Sequence, residues 1–317
     1  MRSRRGGVEA RIHAAEQLLR LPPDPATTRA ALADRSSLVV AAAARAAARH
    51  GLDGLIQELL AALDRHYHDP VESDPQCHAK TALLAAVAGL GHLAGATYLR
   101  AARHRQYEPV WGGREDSAAR LRICAAEALT RNGSPDLYRI LAEHLADPSH
   151  EVRSAAARLA GEVGGERGAL LLTLRLHLPD SEPDLVGDYA AGLLAADGAT
   201  AVPPVAALLG HADPVVANGV ALALGASRLP EAYTPLAAAL DGALRSQQRA
   251  DLLAAIALLR CNEAAERLLQ ALADGGEDAL AAAGHLRLYR DRPEVMQRAR
   301  DLAVGSPGLL AQLAIED

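Results

Sequence analysis

Apolar residues recur along most of the chain at the three- and four-residue intervals of a helix face, as in Leu137, Ile140, Leu141 and Leu145. No stretch sustains the two-residue alternation of a half-buried strand, so the pattern predicts helices throughout and no sheet. The helices come in a repeating phrase. Asp147-Pro148 marks a turn, Val152-Arg153 opens a helix through Ala156, Ala157 and Leu159, and the run closes near Gly164-Gly165. Leu121-Arg122 with Ala125, Ala126 and Leu129 repeats the phrase upstream, and Asp213-Pro214 with Val216, Ala221 and Leu224 repeats it downstream. With Val152 as register mark, equivalents fall at Val39, Ala79, Leu121, Val152, Leu185, Val216, Ala250 and Leu280, at intervals of 40, 42, 31, 33, 31, 34 and 30 residues. A second amphipathic run precedes most marks, so each unit is a hairpin of an A helix and a B helix. Asp147 and Asp213, each followed by Pro, suit B-helix starts, because Asp accepts from the first free N–H groups and Pro fits the first turn.

The phrase resembles the HEAT-repeat family, whose B helix follows an Asp and carries Val-Arg in its first turn. Residues 147–164 match closely, 117–146 nearly as well, and the units at 185, 250 and 280 match only in their Ala/Leu spacing. The resemblance covers residues 26–300 and implies an all-α fold, an α-solenoid of about eight stacked helix hairpins, right-handed, with capping segments at 1–25 and 301–317. Being defined by packing residues, the family implies little about function.

Composition agrees with that fold and narrows the function. Half of the 317 residues are hydrophobic but only 3% are aromatic, and Phe is absent, so the core is built of Ala and Leu, which lets helices approach closely. A net charge of −6 argues against general nucleic-acid or anionic-membrane binding, which needs a cationic surface. Cys77, Cys124 and Cys261 form no Cys-x-x-Cys pair and fit a reducing compartment, so the expected location is cytoplasmic. Glu9 and Arg11 stand where a secretory signal would be apolar. The uncharged run Thr81–Leu99 is broken by Gly89, Gly91 and Gly95 and reads as two short helices rather than a membrane span.

The first two intervals exceed the mean of the others by about 8 to 10 residues, and both excesses fall between an A helix and its B helix. The two long loops, residues 66–78 and 104–116, therefore belong on one rim of adjacent units, pooling the only Trp, two of seven Tyr and four of twelve His. Insertions on one edge commonly carry a solenoid's binding function. The expected binding residues are His68, Asp69, Asp74, Cys77, Lys80, Tyr107, Glu108, Trp111, Arg114 and Asp116. The competing reading is that the loops are solvated turns, each pinned down by an aromatic side chain. Other chemistries are weaker here. His66, His68, Asp69, Cys77, His78 and His104 are metal-ligand types without a recognised spacing, so no metal or cofactor is expected. Gly112-Gly113-Arg114 could form an anion nest, and Cys77 as nucleophile would need His78 or His104 as its base.

The B-helix stripe not used in packing runs from Arg45 and Arg49 through Thr81, Ala85, Glu127, Arg131, Arg158 and Glu162 to Gly187, Ala191, Asn218, Leu222, Leu252 and Ile256, with charge fading into apolar residues toward the C-terminus. Exposed, its apolar end would suit a protein or peptide. Together these features point to a non-enzymatic interaction scaffold, with a protein or peptide partner, no membrane and an open oligomeric state. The alternatives are a HEAT-like DNA glycosylase for alkylated bases, invited by Trp111 and Asp116, and a repeat protein acting as cofactor lyase or chaperone. Iron-dependent HEAT-repeat hydroxylases carry repeated His-Glu pairs, whereas this chain has only His150-Glu151.

Overall fold

A computed structural model of the protein describes residues 2–20 and 24–314; Met1, residues 21–23 and residues 315–317, parts of the two expected caps, lie outside the described residues. The chain divides into two compact units, residues 1–156 and 157–317, with the division falling inside one helix.

In the first unit, α1 (Arg2–Gln17) precedes the pairs α2 (Pro25–Leu32) with α3 (Ser37–Arg49) and α4 (Ile56–Arg65) with α6 (His78–Gly89). The single turn α5 (Pro70–Ser73) lies between α4 and α6. The pairs α7 (Gly95–Ala102) with α8 (Ala119–Arg131) and α9 (Leu137–Leu145) with α10 (His150–Val163) follow. The second unit continues with α11 (Gly165–His177) and α12 (Leu185–Asp197), α13 (Val202–Ala206) and α14 (Pro214–Ser227), then α15 (Tyr233–Gly242) and α16 (Ser246–Leu259). It ends with α17 (Asn262–Asp274) and α18 (Gly276–Leu286), α19 (Pro293–Leu302) and α20 (Pro307–Leu313). The protein is thus an all-α solenoid of helix hairpins, and the Ala-rich B helices supply its core: α3 alone buries Ala41, Ala42, Ala43, Ala44, Ala46 and Ala47.

Four of the A–B turns share one device, an Asp whose carboxylate accepts the backbone N–H two residues on. Asp34 holds Ser36 at 2.8 Å, Asp116 holds Ala118 at 3.1 Å, Asp147 holds Ser149 at 2.9 Å and Asp213 holds Val215 at 2.9 Å. Such a turn satisfies a donor at the helix entry and sets the angle at which the B helix starts.

Two expectations need correction. The long loop after α7 contains a two-stranded antiparallel hairpin, β1 (Tyr107–Val110) and β2 (Gly113–Asp116), where no sheet was expected. Four-residue strands are too short to show alternation, and Gly112, at φ +89°, supplies the left-handed turn residue that closes them. The register marks hold from α3 to α14, where Val39, Ala79, Leu121, Val152, Leu185 and Val216 are all buried, but slip afterwards. Ala250 is only half-buried and Leu280 is exposed. In α3, α8, α10 and α14 the mark is the third helical residue; in α16 that residue is Gln248, and a polar residue at a core position displaced the alignment. Leu252 and Ile256 are consequently core residues, so the apolar end of the B-helix stripe is buried there.

Thr81–Leu99 does form two helices around a turn, with the Tyr98 hydroxyl donating to the His92 carbonyl at 2.6 Å. Residues 185–210 have the length and hydropathy of a bilayer span, but Gly198, at φ +58°, breaks the segment between α12 and α13.

Candidate functional site

The two A–B insertions of the first unit touch each other and share one polar network. Asp74, near the end of the first insertion, is fully buried, its carboxylate accepting from the Ala79 and Lys80 amides at 2.8 and 2.9 Å and pairing with the Lys80 ammonium at 3.1 Å. Gln106, at the foot of the second insertion, reaches across. Its Nε2 donates to the Asp74 carbonyl at 2.9 Å and to Glu108 at 2.7 Å, and its Oε1 accepts from the Cys77 thiol at 3.2 Å. Glu108 also receives the Gln76 amide and the Ser117 hydroxyl, each at 2.6 Å. Above this, the Tyr67 ring meets His104 edge-on at 5.0 Å while the Arg100 guanidinium stacks 3.8 Å from its centre.

Next along the unit, Arg122 is fully buried between two carboxylates, 2.7 Å from Asp116 and 3.0 Å from Asp147. Its guanidinium donates to the His104 carbonyl as well, and Arg105 closes on Asp147 at 2.7 Å, so two cations face two anions. Buried charges persist only when paired and hydrogen-bonded in this way.

The network strains the first insertion. Asp69, Gln76 and Cys77 all hold a left-handed backbone, at φ 46°, 60° and 53°. Such residues cost on the order of 1–3 kcal/mol each and persist where their surroundings over-determine them. Here the surroundings are the Gln106 and Glu108 contacts at Gln76 and Cys77.

The electrostatics follow from burial and pairing. Burial pushes Asp116 and Glu108 upward, but the hydrogen bonds from Gln106 and Ala118 to the one, and from Ser117 and Gln106 to the other, outweigh it and hold both below the usual carboxylate range. Burial raises the Cys77 thiol to about 11, which keeps it protonated and removes it as a nucleophile. Burial likewise lowers His66 and His104 and keeps them neutral. Among the described residues, the ligand types of the two loops form no cluster of three with donor atoms within 4.8 Å of one another.

The ten expected binding residues divide accordingly. Asp74, Cys77 and Lys80 are buried and fasten the loops together, where a partner cannot touch them. Glu108 and Asp116 are mostly spent on the same fastening, and Asp116, held by Arg122 and two amides, is not a free catalytic acid or base. His68, Asp69, Tyr107, Trp111 and Arg114 are exposed. Trp111 stands at the tip of the hairpin with 104% relative exposure, so it pins nothing down. Tyr107 at 52% and Val110 at 44% extend the apolar surface along β1, and Arg114 lies directly across from Pro109 on β2.

Sequence reasoning missed Gln106, Arg122, Asp147 and Tyr67, on which the site is built. A signal was present: Asp74 with Lys80, Asp116 with Arg122 and Asp147 with Arg153 repeat Asp-x5-Lys/Arg in three successive units. In the first two the pair is a direct ion pair, and in the third Arg153 donates to the Asp147 carbonyl at 2.7 Å.

No protein-family model matches the chain, and no curated protein does. Among solved structures, human deoxyhypusine hydroxylase in complex with glycerol is similar at 20% identity, over 80% of this chain and 98% of that one, with a TM-score of 0.32.

Proposed function

We propose that the chain is an interaction scaffold that grips a protein or peptide partner through the hairpin of residues 107–116, with Trp111 as the anchor. The observation that carries this reading is an indole fully open to solvent on a hairpin whose base is fixed by buried hydrogen bonds and ion pairs. A rigid aromatic with an arginine nearby supplies the contact area and the pairing group that dominate binding at hot spots, and it loses little side-chain entropy on docking.

The test pairs stability with capture. Full-length wild type, Trp111→Ala and Arg114→Ala are compared by thermal melting and by recovery of binding proteins from the source extract. Near-identical melting with loss of a specific protein from Trp111→Ala supports the reading; identical capture by all three overturns it. The sole tryptophan is also its own reporter, because docking in an apolar pocket shifts its emission to the blue and protects it from quenchers.

A further inference from the structure

The hairpin of residues 107–116 is a sheet with one usable edge. The Ser117 amide donates to the Gln106 carbonyl at 2.9 Å, one pair below the register that sets Tyr107 against Asp116, Glu108 against Glu115, Pro109 against Arg114 and Val110 against Gly113. Antiparallel pairs alternate between bonded and unbonded, so Glu108 with Glu115 and Val110 with Gly113 are the bonded pairs. Tyr107 and Pro109 on β1, and Arg114 and Asp116 on β2, therefore turn their main-chain groups away from the hairpin. On β1 the outward Pro109 has no N–H and interrupts the row of donors. On β2 Arg114 and Asp116 each offer an N–H and a C=O, and among the described residues none of these four groups has a hydrogen-bond partner.

The side chains of this edge are unspent as well. Arg114 and Glu115 are exposed, and neither has an ion-pair or hydrogen-bond partner among the described residues. As neighbours on a strand they point to opposite faces. An open edge is a template for another chain, and a two-stranded sheet gains from a third strand. A second copy of this chain fits badly there. For β2 to pair with another β2 about a two-fold axis, outward residues must meet outward residues, which sets Arg114 across from Arg114, Glu115 across from Glu115, or Asp116 across from Asp116. Each register puts like charges directly opposite, which destabilises the pair. Pairing β2 with β1 of a second copy would bring in Pro109, and joining unlike edges is head-to-tail, a contact without a two-fold axis.

We propose that the edge of β2 takes an extended segment of a partner protein as a third, antiparallel strand, with an acidic residue across from Arg114 and, immediately before it, a basic residue across from Glu115. Main-chain bonds at Arg114 and Asp116 hold the segment, and the two opposite charges fix its register. The foot of the hairpin is fastened by the Asp116–Arg122 pair and the Ser117–Glu108 bond, so the edge is presented in one place. This inference rests on the hairpin being the gripping element, as proposed above, and adds the edge, the strand direction and the charge order that the partner uses.

The experiment uses the full-length chain and the fluorescein-labelled peptide Val-Thr-Lys-Glu-Val-Thr-Val, read by fluorescence polarisation. Saturable binding is expected, with the swapped peptide Val-Thr-Glu-Lys-Val-Thr-Val about tenfold weaker. N-methylation of the peptide's Glu removes the N–H that reaches the Arg114 carbonyl and should also cost about tenfold. N-methylation of its Lys, whose N–H points away from β2, should leave binding unchanged. Arg114→Ala should weaken binding through the lost charge, and Arg114→Pro, which removes the edge N–H too, by about tenfold more. Proline is tolerated there because Arg114 makes no main-chain bond to β1, and melting curves of both variants check that the fold is kept. The proposal is overturned by absence of saturable binding, by equal affinity for the swapped peptide, by equal effects of the two N-methyl groups, or by Arg114→Pro binding as Arg114→Ala does. Its failure is separable from that of the scaffold reading: a partner that Trp111→Ala loses and Arg114→Pro retains overturns the strand addition alone.

Discussion

The two units pack short helices with a different balance of charge and close contact. In residues 1–156 the B helices carry Lys80, Arg122 and Arg153 in their first turns, and these buried cations tie the A–B turns to the helices through Asp74, Asp116 and Asp147. In residues 157–317 the helices approach until backbone meets backbone. Gly161 faces Gly192 and Gly225 faces Ala255 so closely that a Cβ would collide, and between Gly187 and Gly219 a Cβ would sit tighter than ordinary contact. The first unit adds to its small-residue packing the buried charges whose geometry fixes long insertions; the second, beside pairs such as Arg175 with Asp180, relies more on close contact between small residues with short turns. The difference explains where exposed features sit: insertions can be displayed rigidly only where a polar network anchors their feet.

The largest expected effect comes from breaking that network. Arg122→Met keeps the aliphatic bulk but leaves Asp116 and Asp147 without their shared cation, and it should cost about 3–5 kcal/mol, the range for removing one partner of a buried pair. Chemical denaturation of the variant checks it, and a loss below about 1 kcal/mol would show that the ions are dispensable. The matching experiment in the second unit is Gly192→Ala. Its Cβ would lie 2.6 Å from the Ala157 carbonyl and 3.1 Å from Leu172 Cδ1, so overpacking of about 1–3 kcal/mol should outweigh the gain of up to about 1 kcal/mol in helix propensity. Stabilisation instead would mean that these helices can separate at little cost.

The same contrast explains what could be read from the sequence. Packing by small apolar residues is periodic, so the repeat units and the burial of Val39, Leu121, Val152 and Val216 were legible. The positions of the insertions, and their meeting on one rim, followed from the broken period. The roles inside them did not. Asp74, Cys77 and Lys80 look like surface chemistry along the chain, and only tertiary neighbours such as Gln106 make their burial affordable. The hairpin escaped notice because its strands are short, and α16 was misaligned because Gln248 breaks the core pattern.

The smallest effect, and the one that sharpens the comparison most, is the response to mild acid. His66, His104 and His144 in the first unit are all lowered, chiefly by burial, against His285 alone in the second. A histidine whose folded pKa lies below its unfolded value near 6.5 binds fewer protons folded than unfolded, so its contribution is intact above pH ~6.5 and is lost as pH falls from there through the folded value. The paired carboxylates, also lowered, add their loss only nearer pH 4. Between pH 7 and 5 the first unit should therefore lose more stability than the second. Hydrogen exchange, corrected for intrinsic rates, should show protection falling more in α6, α8 and α9 than in α14, α16 and α18. His66 is the cleanest probe, because its ring is buried and neither ring nitrogen has a hydrogen-bond partner among the described residues. His66→Leu should be close to neutral at pH 7 and should blunt the acid response of α4 and α6. An acid response equal in the two units, or unchanged in His66→Leu, would assign it to the carboxylates instead.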